Sequence, residues 1–234
     1  MIFSLIKNGV SGEAVVQLIY FLVVVFMTLT IHECAHGYIA YKMGDPTASA
    51  LGRLTLNPVR HIDPIGLLMM LFIGFGWAKP VPINPRNFKN PKAGMAISAA
   101  AGPVSNVLMA ILGLLIRTVL IRIFIAADIY NGFAVSAVSF FELFAMLNVW
   151  FAVFNLIPIP PLDGSRIVSY FLPQRLYYYY NYVERYGFVI LIILLNLDRI
   201  NKNFNFIWIF QTVAGWVLNG LNFAINWIFS LFGG

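Results

Sequence analysis

Three residues near the start of the chain have types and a spacing that suit metal-dependent hydrolysis. His32, Glu33 and His36 form the pattern H-E-x-x-H inside an otherwise apolar run. In a helix, four residues advance the chain by about 400°, so His32 and His36 lie one above the other, about 6 Å apart, and both can reach one zinc ion. Glu33 lies beside them and can reach a water molecule next to the metal. The pattern therefore predicts two zinc ligands and a general base.

The alternative is that these are two helix histidines and a glutamate whose polar groups are satisfied by neighbouring helices. The apolar setting counts against it. Charged side chains inside an apolar segment cost at least about 2.5 kcal/mol each on insertion scales, so three ionisable groups together need a shared reason. A metal ion is one such reason, because it binds neutral imidazoles and compensates the carboxylate charge. Cys34 is the only cysteine, which excludes a multi-cysteine metal site.

A catalytic zinc site usually takes three protein ligands, so a third ligand has to come from elsewhere in the chain. The strongest candidate is Asp163, which follows an apolar run broken by Pro158, Pro160 and Pro161 and precedes Gly164. Proline ends a helix and exposes backbone groups that, at membrane depth, need a protein-lined and hydrated pocket. We predict that Asp163 is the third ligand. The alternative is an ordinary helix end, with Asp163 as the N-cap of a short helix that follows.

The composition indicates that the elements holding these residues lie in lipid. Of the 234 residues, 60% are hydrophobic, 16% aromatic and 10% charged, and the mean hydropathy is +0.82. A water-soluble domain of this size needs far more charge to cover its surface. We predict an all-α polytopic membrane protein with about five to six transmembrane helices, forming one domain over residues 1–234. The net charge of +6 comes from basic residues scattered through loops, which favours anionic lipid headgroups over nucleic acid.

Apolar runs predict six helices, at 14–43, 62–77, 93–125, 133–156, 187–197 and 205–232. The second and fifth are shorter than a bilayer requires, and the second is a candidate re-entrant segment. The connections 44–64 and 78–91 are rich in proline and asparagine. They contain alternating stretches, 49–56 and 81–83, which we predict to be short extended edges able to pair with a substrate strand.

The distribution of basic residues predicts the orientation in the membrane. Ten of the 15 lie on the side where the first helix ends, and by the positive-inside rule this side faces the cytoplasm. If the first helix ends near Lys42, His36 lies about 9 Å and His32 about 15 Å from that end, so the metal is expected within the cytoplasmic leaflet. The ten are Lys42, Arg53, Arg60, Lys79, Arg86, Lys89, Lys92, Arg166, Arg175 and Arg185; the other five are Lys7, Arg117, Arg122, Arg199 and Lys202.

Several motifs follow one another between about residues 29 and 166. The chain has His-Glu-Cys-Ala-His at 32–36 and Asn155-Leu-Ile-Pro-Ile-Pro-Pro-Leu-Asp163-Gly further on. With these two motifs the chain resembles the site-2 protease family of intramembrane zinc metalloproteases. Three more stretches, at 52–66, 76–84 and 101–106, are similar to the compact bacterial branch of that family, which lacks a PDZ domain. The resemblance covers well over half of the chain.

The resemblance implies a zinc-dependent intramembrane endopeptidase of the bacterial inner membrane. Its substrates would be transmembrane proteins or peptides, cleaved in or near their transmembrane segments during regulated intramembrane proteolysis or clearance of membrane peptides. The resemblance implies one Zn²⁺ per chain, held by His32, His36 and Asp163, and catalysis through Glu33. Neither the identity of the substrate nor the oligomeric state follows from the sequence.

Two asparagines are further candidates for the site. The resemblance implies that Asn155, eight residues before Asp163, helps to position substrate or the developing oxyanion. Asn106 resembles a family position packed beside the catalytic helix. Either amide could donate a hydrogen bond to the oxyanion, an effect worth about 2.7–4 kcal/mol in other enzymes. The alternative for both is interhelical hydrogen bonding of a membrane amide.

Two other function classes fit parts of the pattern. One is a membrane metalloprotease that takes a downstream glutamate as ligand, but only Glu142 and Glu184 lie downstream and neither belongs to a second helical motif. The other is a non-catalytic zinc-binding membrane scaffold that retains the protease fold. Glu33 counts against the scaffold, because such a protein has no need of a general base.

Overall fold

The protein is built from α-helices joined by short connections. A computed structural model describes residues 11–73, 76–197 and 205–231. Two short 3₁₀ turns lie at Pro58–Arg60 and Pro85–Asn87. These described residues form no β-strand, and their one isolated antiparallel bridge pairs Ile62 with Ala78. The predicted all-α class is confirmed.

Six of the helices correspond to the six predicted ones, and three others were not predicted. For α1, α4, α5, α8 and α9 the predicted ends agree with the observed ends within about two residues. The predicted helix at 62–77 is shorter in the structure and ends at Ile73, while residues 74–75 and 232 lie outside the described part of the chain. The helices are α1 (Gly12–Lys42), α2 (Thr47–Ala50), α3 (Pro64–Ile73), α4 (Pro91–Ala126), α5 (Gly132–Asn155), α6 (Asp163–Phe171), α7 (Gln174–Glu184), α8 (Gly187–Leu195) and α9 (Phe206–Leu231).

Three helices, α1, α4 and α5, are long and apolar enough to cross a membrane. Their 31, 36 and 24 residues correspond to about 46, 54 and 36 Å, which exceeds a hydrocarbon core of about 30 Å. The 10 residues of α3 and the 9 of α8 are too few to span. α9 has 26 residues, about 39 Å, and contains no charged residue. The chain is an integral membrane protein, and in its described part these three helices are candidate membrane spans by length and composition.

Side-chain caps define where the long helices begin. Ser11, Asn90 and Asn131 each accept a hydrogen bond from a backbone N–H in the first turn of α1, α4 and α5. At the other end of α1, Gly44 has a φ of 106°, a conformation that glycine adopts readily and that ends a helix. These local signals fix where α1 begins and ends, and therefore how far its histidines lie from the end of the helix.

α4 lies at the centre of the bundle and packs against α1, α5 and α6. Val24 and Val25 of α1 pack against Phe144 and Leu147 of α5. α9 packs against the outer side of α4 and α5, where two further clusters consist of Ala110, Val149 and Ala214, and of Leu114, Ala145 and Ile225. Large apolar side chains cover the outside of the spanning helices, as expected for a surface that faces lipid.

The prediction of an extended edge at 49–56 is wrong. Thr47–Ala50 is a helical turn that begins beside Asp45, whose Oδ1 accepts a hydrogen bond from the Thr47 backbone N–H. The chain then turns through Gly52, which has a φ of 63°. Hydrogen bonding by Asp45 therefore prevails over the alternating pattern. Residues 81–83 pair with no strand in the described part of the chain.

Candidate metal centre and active site

The structure brings His32, His36 and Asp163 together. The two histidines are buried on one face of α1, with 4% and 7% of their surface exposed. Their Nε2 atoms lie 2.9 Å apart. Asp163 Oδ2 lies 3.2 Å from Nε2 of His32 and 3.3 Å from Nε2 of His36. Among the described residues, these three form a group able to hold one metal ion.

The donor set fits zinc. Nδ1 of His36 lies 2.7 Å from the Ser98 carbonyl oxygen, which only accepts, so Nδ1 carries the hydrogen and Nε2 has a free lone pair. Nδ1 of His32 lies 3.3 Å from Asn106 Oδ1 and is held in the same way. The Nε2 lone pairs of both histidines and the Asp163 Oδ2 atom therefore lie close together. These three acceptors repel one another unless a cation lies between them. Tetrahedral zinc with bonds of about 2.0–2.1 Å sets its ligands roughly 3.3 Å apart, close to the distances found.

Asp163 is the first residue of α6. The residue that caps α6 is Leu162, which makes no side-chain cap hydrogen bond, so the alternative in which Asp163 is an ordinary N-cap is wrong. Gly164 allows the close turn, because a Cβ there would lie 2.2 Å from the Leu156 carbonyl oxygen. From the other side, the Tyr180 hydroxyl of α7 donates to the Pro158 carbonyl oxygen over 2.8 Å. The proline-broken segment is thus braced on both sides, which positions the carboxylate.

Three residues of α4 lie against the two histidines. Ser98, Gly102 and Asn106 are spaced four residues apart and so share one face of the helix. A Cβ at Gly102 would lie 2.4–2.5 Å from ring atoms of His32 and His36, so only glycine leaves room for the two rings. Sequence reasoning missed Ser98 and Gly102. The signal that could have found them is the row of small and polar residues ending at Asn106.

Glu33 lies next to His32 on α1 and is half-buried. Its Oε2 accepts a hydrogen bond of 2.8 Å from the backbone N–H of Val81, in the proline-rich connection between α3 and α4. This contact fixes one carboxylate oxygen beside the metal group. The sequence did not indicate it, because any residue except proline can supply a backbone N–H.

The remaining candidates, and His61, the third histidine of the chain, have other partners. Asn155 donates from Nδ2 to the Phe151 carbonyl oxygen of its own helix over 3.0 Å. His61 is buried and pairs with the Thr55 carbonyl oxygen over 2.8 Å. Each of the two downstream glutamates pairs with an arginine, Glu142 with Arg117 and Glu184 with Arg166. Neither glutamate belongs to the group formed by the histidines.

Comparison with known proteins identifies the family. The sequence model of peptidase family M50 matches residues 119–195, a range that includes Asp163. A Bacillus subtilis protein named "Putative zinc metalloprotease YwhC" is 40% identical over 175 residues, which cover 75% of this chain and 79% of that protein. The chain belongs to peptidase family M50. This membership confirms the resemblance to site-2 proteases.

Mycobacterial relatives of this M50 peptidase extend the comparison. Proteins named "Putative zinc metalloprotease Rip2" are 28% identical in Mycolicibacterium smegmatis, over 80% of this chain and 68% of the relative, and 28% identical in Mycobacterium tuberculosis H37Rv, over 95% and 80%. No solved structure matches the chain. Family membership and the three-residue group together confirm the predicted class, a zinc-dependent protease.

Proposed function

We propose that this M50 peptidase cleaves membrane proteins or peptides in or near their transmembrane segments, as a single domain over residues 1–234. In this proposal His32, His36 and Asp163 hold one zinc ion and Glu33 is the general base. The observation that carries the proposal is that His32 and His36 are buried on a helix long and apolar enough to span the membrane, with Asp163 beside them. Because α1 ends at Lys42, the histidines lie about 9 and 15 Å from its end.

The chemistry is peptide hydrolysis. When bound, zinc supplies Lewis acidity, which draws electron density from a peptide carbonyl and from a water molecule. Glu33 takes a proton from the attacking water at a carboxylate oxygen. As the new C–O bond forms and the C–N bond breaks, Glu33 passes this proton to the leaving amine. The hydrogen bond from Val81 supports this role, because it keeps the Glu33 carboxylate from rotating away.

The substrate has to present an extended peptide to this site, because a helix hides its carbonyl groups in hydrogen bonds. We therefore expect cleavage near small or helix-breaking residues, where local unwinding costs least. The segment 78–83 runs beside Glu33. Two contacts hold the start of segment 78–83 against the connection between α1 and α3. One is the Ile62–Ala78 bridge, and the other is a hydrogen bond of 2.9 Å from the Lys79 N–H to the His61 carbonyl oxygen. A backbone tied down next to the base supports pairing with an unwound substrate.

The two asparagines differ in the support they have. The contact between Asn106 Oδ1 and His32 favours an orienting role for Asn106. Its Nδ2 is buried and has no hydrogen-bond partner in the described part of the chain. For Asn155, the bond to Phe151 favours a structural role over substrate positioning.

We propose that the site faces the cytoplasmic side of a bacterial inner membrane. The order of α1, α4 and α5 supports this, because the end of α1, the start of α4 and the end of α5 then share one side. That side carries the ten basic residues of the positive-inside argument. Arg117 and Arg122, in the second half of α4, lie towards the other side. Lys7, Arg199 and Lys202, which the sequence count also assigned to that side, lie outside the described residues.

The test is Glu33→Gln in protein reconstituted into liposomes with a transmembrane substrate. We expect about one zinc per chain by elemental analysis and no cleavage, because the ligands remain and the base is lost. Glu13→Gln is the matched control, since Glu13 lies in the first turn of the same helix, far from the histidines. Cleavage by the Glu33 variant at the wild-type rate contradicts the mechanism. Zinc-loaded wild-type protein that cleaves no membrane substrate favours the scaffold alternative.

A further inference from the structure

Asp45 is a buried carboxylate outside the metal centre, with 0% of its surface exposed. It lies just beyond the end of α1, and its backbone N–H donates to the Ala40 carbonyl oxygen. It takes part in no salt bridge within the described part of the chain. Its charge is compensated by hydrogen bonds alone, from Thr47, Asn84 and Asn87. Burial of a carboxylate is costly unless it is paired in this way, so the arrangement calls for a reason.

These hydrogen bonds are of two kinds. At Oδ1, the backbone N–H and hydroxyl of Thr47 make a local turn. The others reach about 40 residues along the chain: Asn87 Nδ2 donates to Oδ1 over 2.6 Å, and the Asn84 backbone N–H donates to Oδ2 over 2.7 Å. Burial alone would raise the pKa of Asp45, but the hydrogen bonds from Thr47, Asn87 and Asn84 hold it below its usual range. Asp45 is therefore an ionised clamp on the proline-rich connection.

The same connection contacts the proposed base. The Val81 N–H donates to Glu33 Oε2 over 2.8 Å. The Val81 side chain packs against Gly37, one turn further along α1, where a Cβ would lie 2.9 Å from Val81 Cγ1. Pro80 and Pro82 restrict the backbone on either side of Val81. The connection thus lies along one face of α1, held by Glu33 and Gly37 at one end and by Asp45 at the other.

We propose that Asp45 is a positioning residue for the peptidase reaction, which anchors residues 84–87 so that the Val81 N–H stays on Glu33. The inference rests on the proposed role of Glu33 as general base. Without the clamp, the connection moves away from α1 and Glu33 loses the donor that fixes its carboxylate. Displacing a catalytic group by about 1 Å can cost up to 100-fold in rate. Asp45 then acts on turnover without touching substrate or metal.

Asp45→Asn is the sharpest variant, because it removes one part of the clamp. With the amide oxygen in place of Oδ1, the turn to Thr47 and the bond from Asn87 remain. The NH₂ group then faces the Asn84 N–H, donor against donor, and that bridge is lost. We expect kcat to fall tenfold to a hundredfold, with KM within about threefold of the wild type. Zinc content stays at one per chain, and the Val81 amide exchanges its hydrogen faster.

Two further variants separate positioning from loss of stability. Asn131→Ala removes the cap of α5 at the opposite end of the bundle, so it destabilises the protein without touching the connection. Asn87→Ala removes the other bridging donor and is the second probe of the clamp. If both bridges serve one purpose, the loss of kcat in the double variant Asp45→Asn/Asn87→Ala is smaller than the product of the two single losses.

Each outcome bears on the inference. A kcat within twofold of the wild type, together with faster exchange at Val81, overturns it. So does a loss of kcat no greater than that of Asn131→Ala at an equal drop in unfolding temperature. If Asp45→Asn fails to hold zinc, Asn87→Ala is judged by the same criteria. Glu33→Gln is measured in parallel. Cleavage by Glu33→Gln refutes the proposed function. If Glu33→Gln is inactive and Asp45→Asn is fully active, only the positioning role of Asp45 is refuted.

Discussion

At the scale of single residues, each histidine of the metal group is held at its far nitrogen by α4. Asn106 Oδ1 faces Nδ1 of His32, and the Ser98 carbonyl oxygen faces Nδ1 of His36. These contacts select the tautomer in which Nε2 carries the lone pair, and they also fix the plane of each ring. In the proposed zinc site, metal affinity therefore depends on two groups that are not themselves ligands.

We predict that Asn106→Leu weakens zinc binding about 10- to 100-fold, the usual cost of losing a group that orients a ligand. The measurement is a competition between the protein and a chelator of known affinity. Asn148→Leu is the matched control: Asn148 is equally buried and its Nδ2 donates to the Phe144 carbonyl oxygen of its own helix. Equal zinc affinity in wild type and Asn106→Leu would show that Asn106 does not hold His32.

The sequence predicted the residues whose role depends on local spacing. His32 and His36 had to share a face because they lie four apart in a helix. The prolines before Asp163 made it a candidate, and the family resemblance implied that it is the third ligand. Val81 could not be found in this way, and Ser98 was missed although it lies in the row of small and polar residues that ends at Asn106. They contribute a carbonyl oxygen and an N–H, which almost every residue has, so their roles arise only from how the segments pack.

At the scale of elements, the close approach of α1 and α4 at Gly102 decides whether the metal site forms. We predict that Gly102→Ala weakens zinc binding at least tenfold, because its Cβ would lie 2.4–2.5 Å from ring atoms of both histidines. Gly113→Ala is the control on the same helix. Its Cβ would lie 2.8 Å from Phe144, away from the site. We expect it to lower the unfolding temperature and leave zinc affinity unchanged; equal losses of affinity in both variants would contradict the prediction.

The six long or strongly apolar helices were predictable because their composition alone marks them. α7 was missed because Gln174, Arg175 and Glu184 lie at its ends and Asn181 interrupts its tyrosines, so no long apolar run is visible. α2 was missed because its four residues read as an alternating strand. α7 makes a contact distant in sequence, from the Tyr180 hydroxyl to the Pro158 carbonyl oxygen, which a local pattern does not show. α2 begins at a local hydrogen bond from the Thr47 N–H to Asp45.

At the scale of the whole molecule, the arrangement of charge leads to a prediction about sidedness. In a Cys34→Ala background, we expect a cysteine at Tyr130, in the exposed turn between α4 and α5, to react with a membrane-impermeant maleimide in intact spheroplasts. A cysteine at the exposed Arg86 should react only after lysis, because it lies on the side with ten basic residues. The reverse pattern would place the metal group in the outer leaflet.

The two halves of the metal group lie far apart in the chain, and this bears on when the enzyme becomes active during synthesis. The histidines and Glu33 leave the ribosome first, whereas Asp163 follows His36 by 127 residues. Until α6 has been made and packed against α4, the nascent chain offers zinc only two ligands, fewer than the three that a catalytic site needs. With the proposed ligand set, proteolytic activity is thus withheld from every shorter intermediate. A chain released before Asp163 then has Glu33 and both histidines but lacks the third proposed ligand.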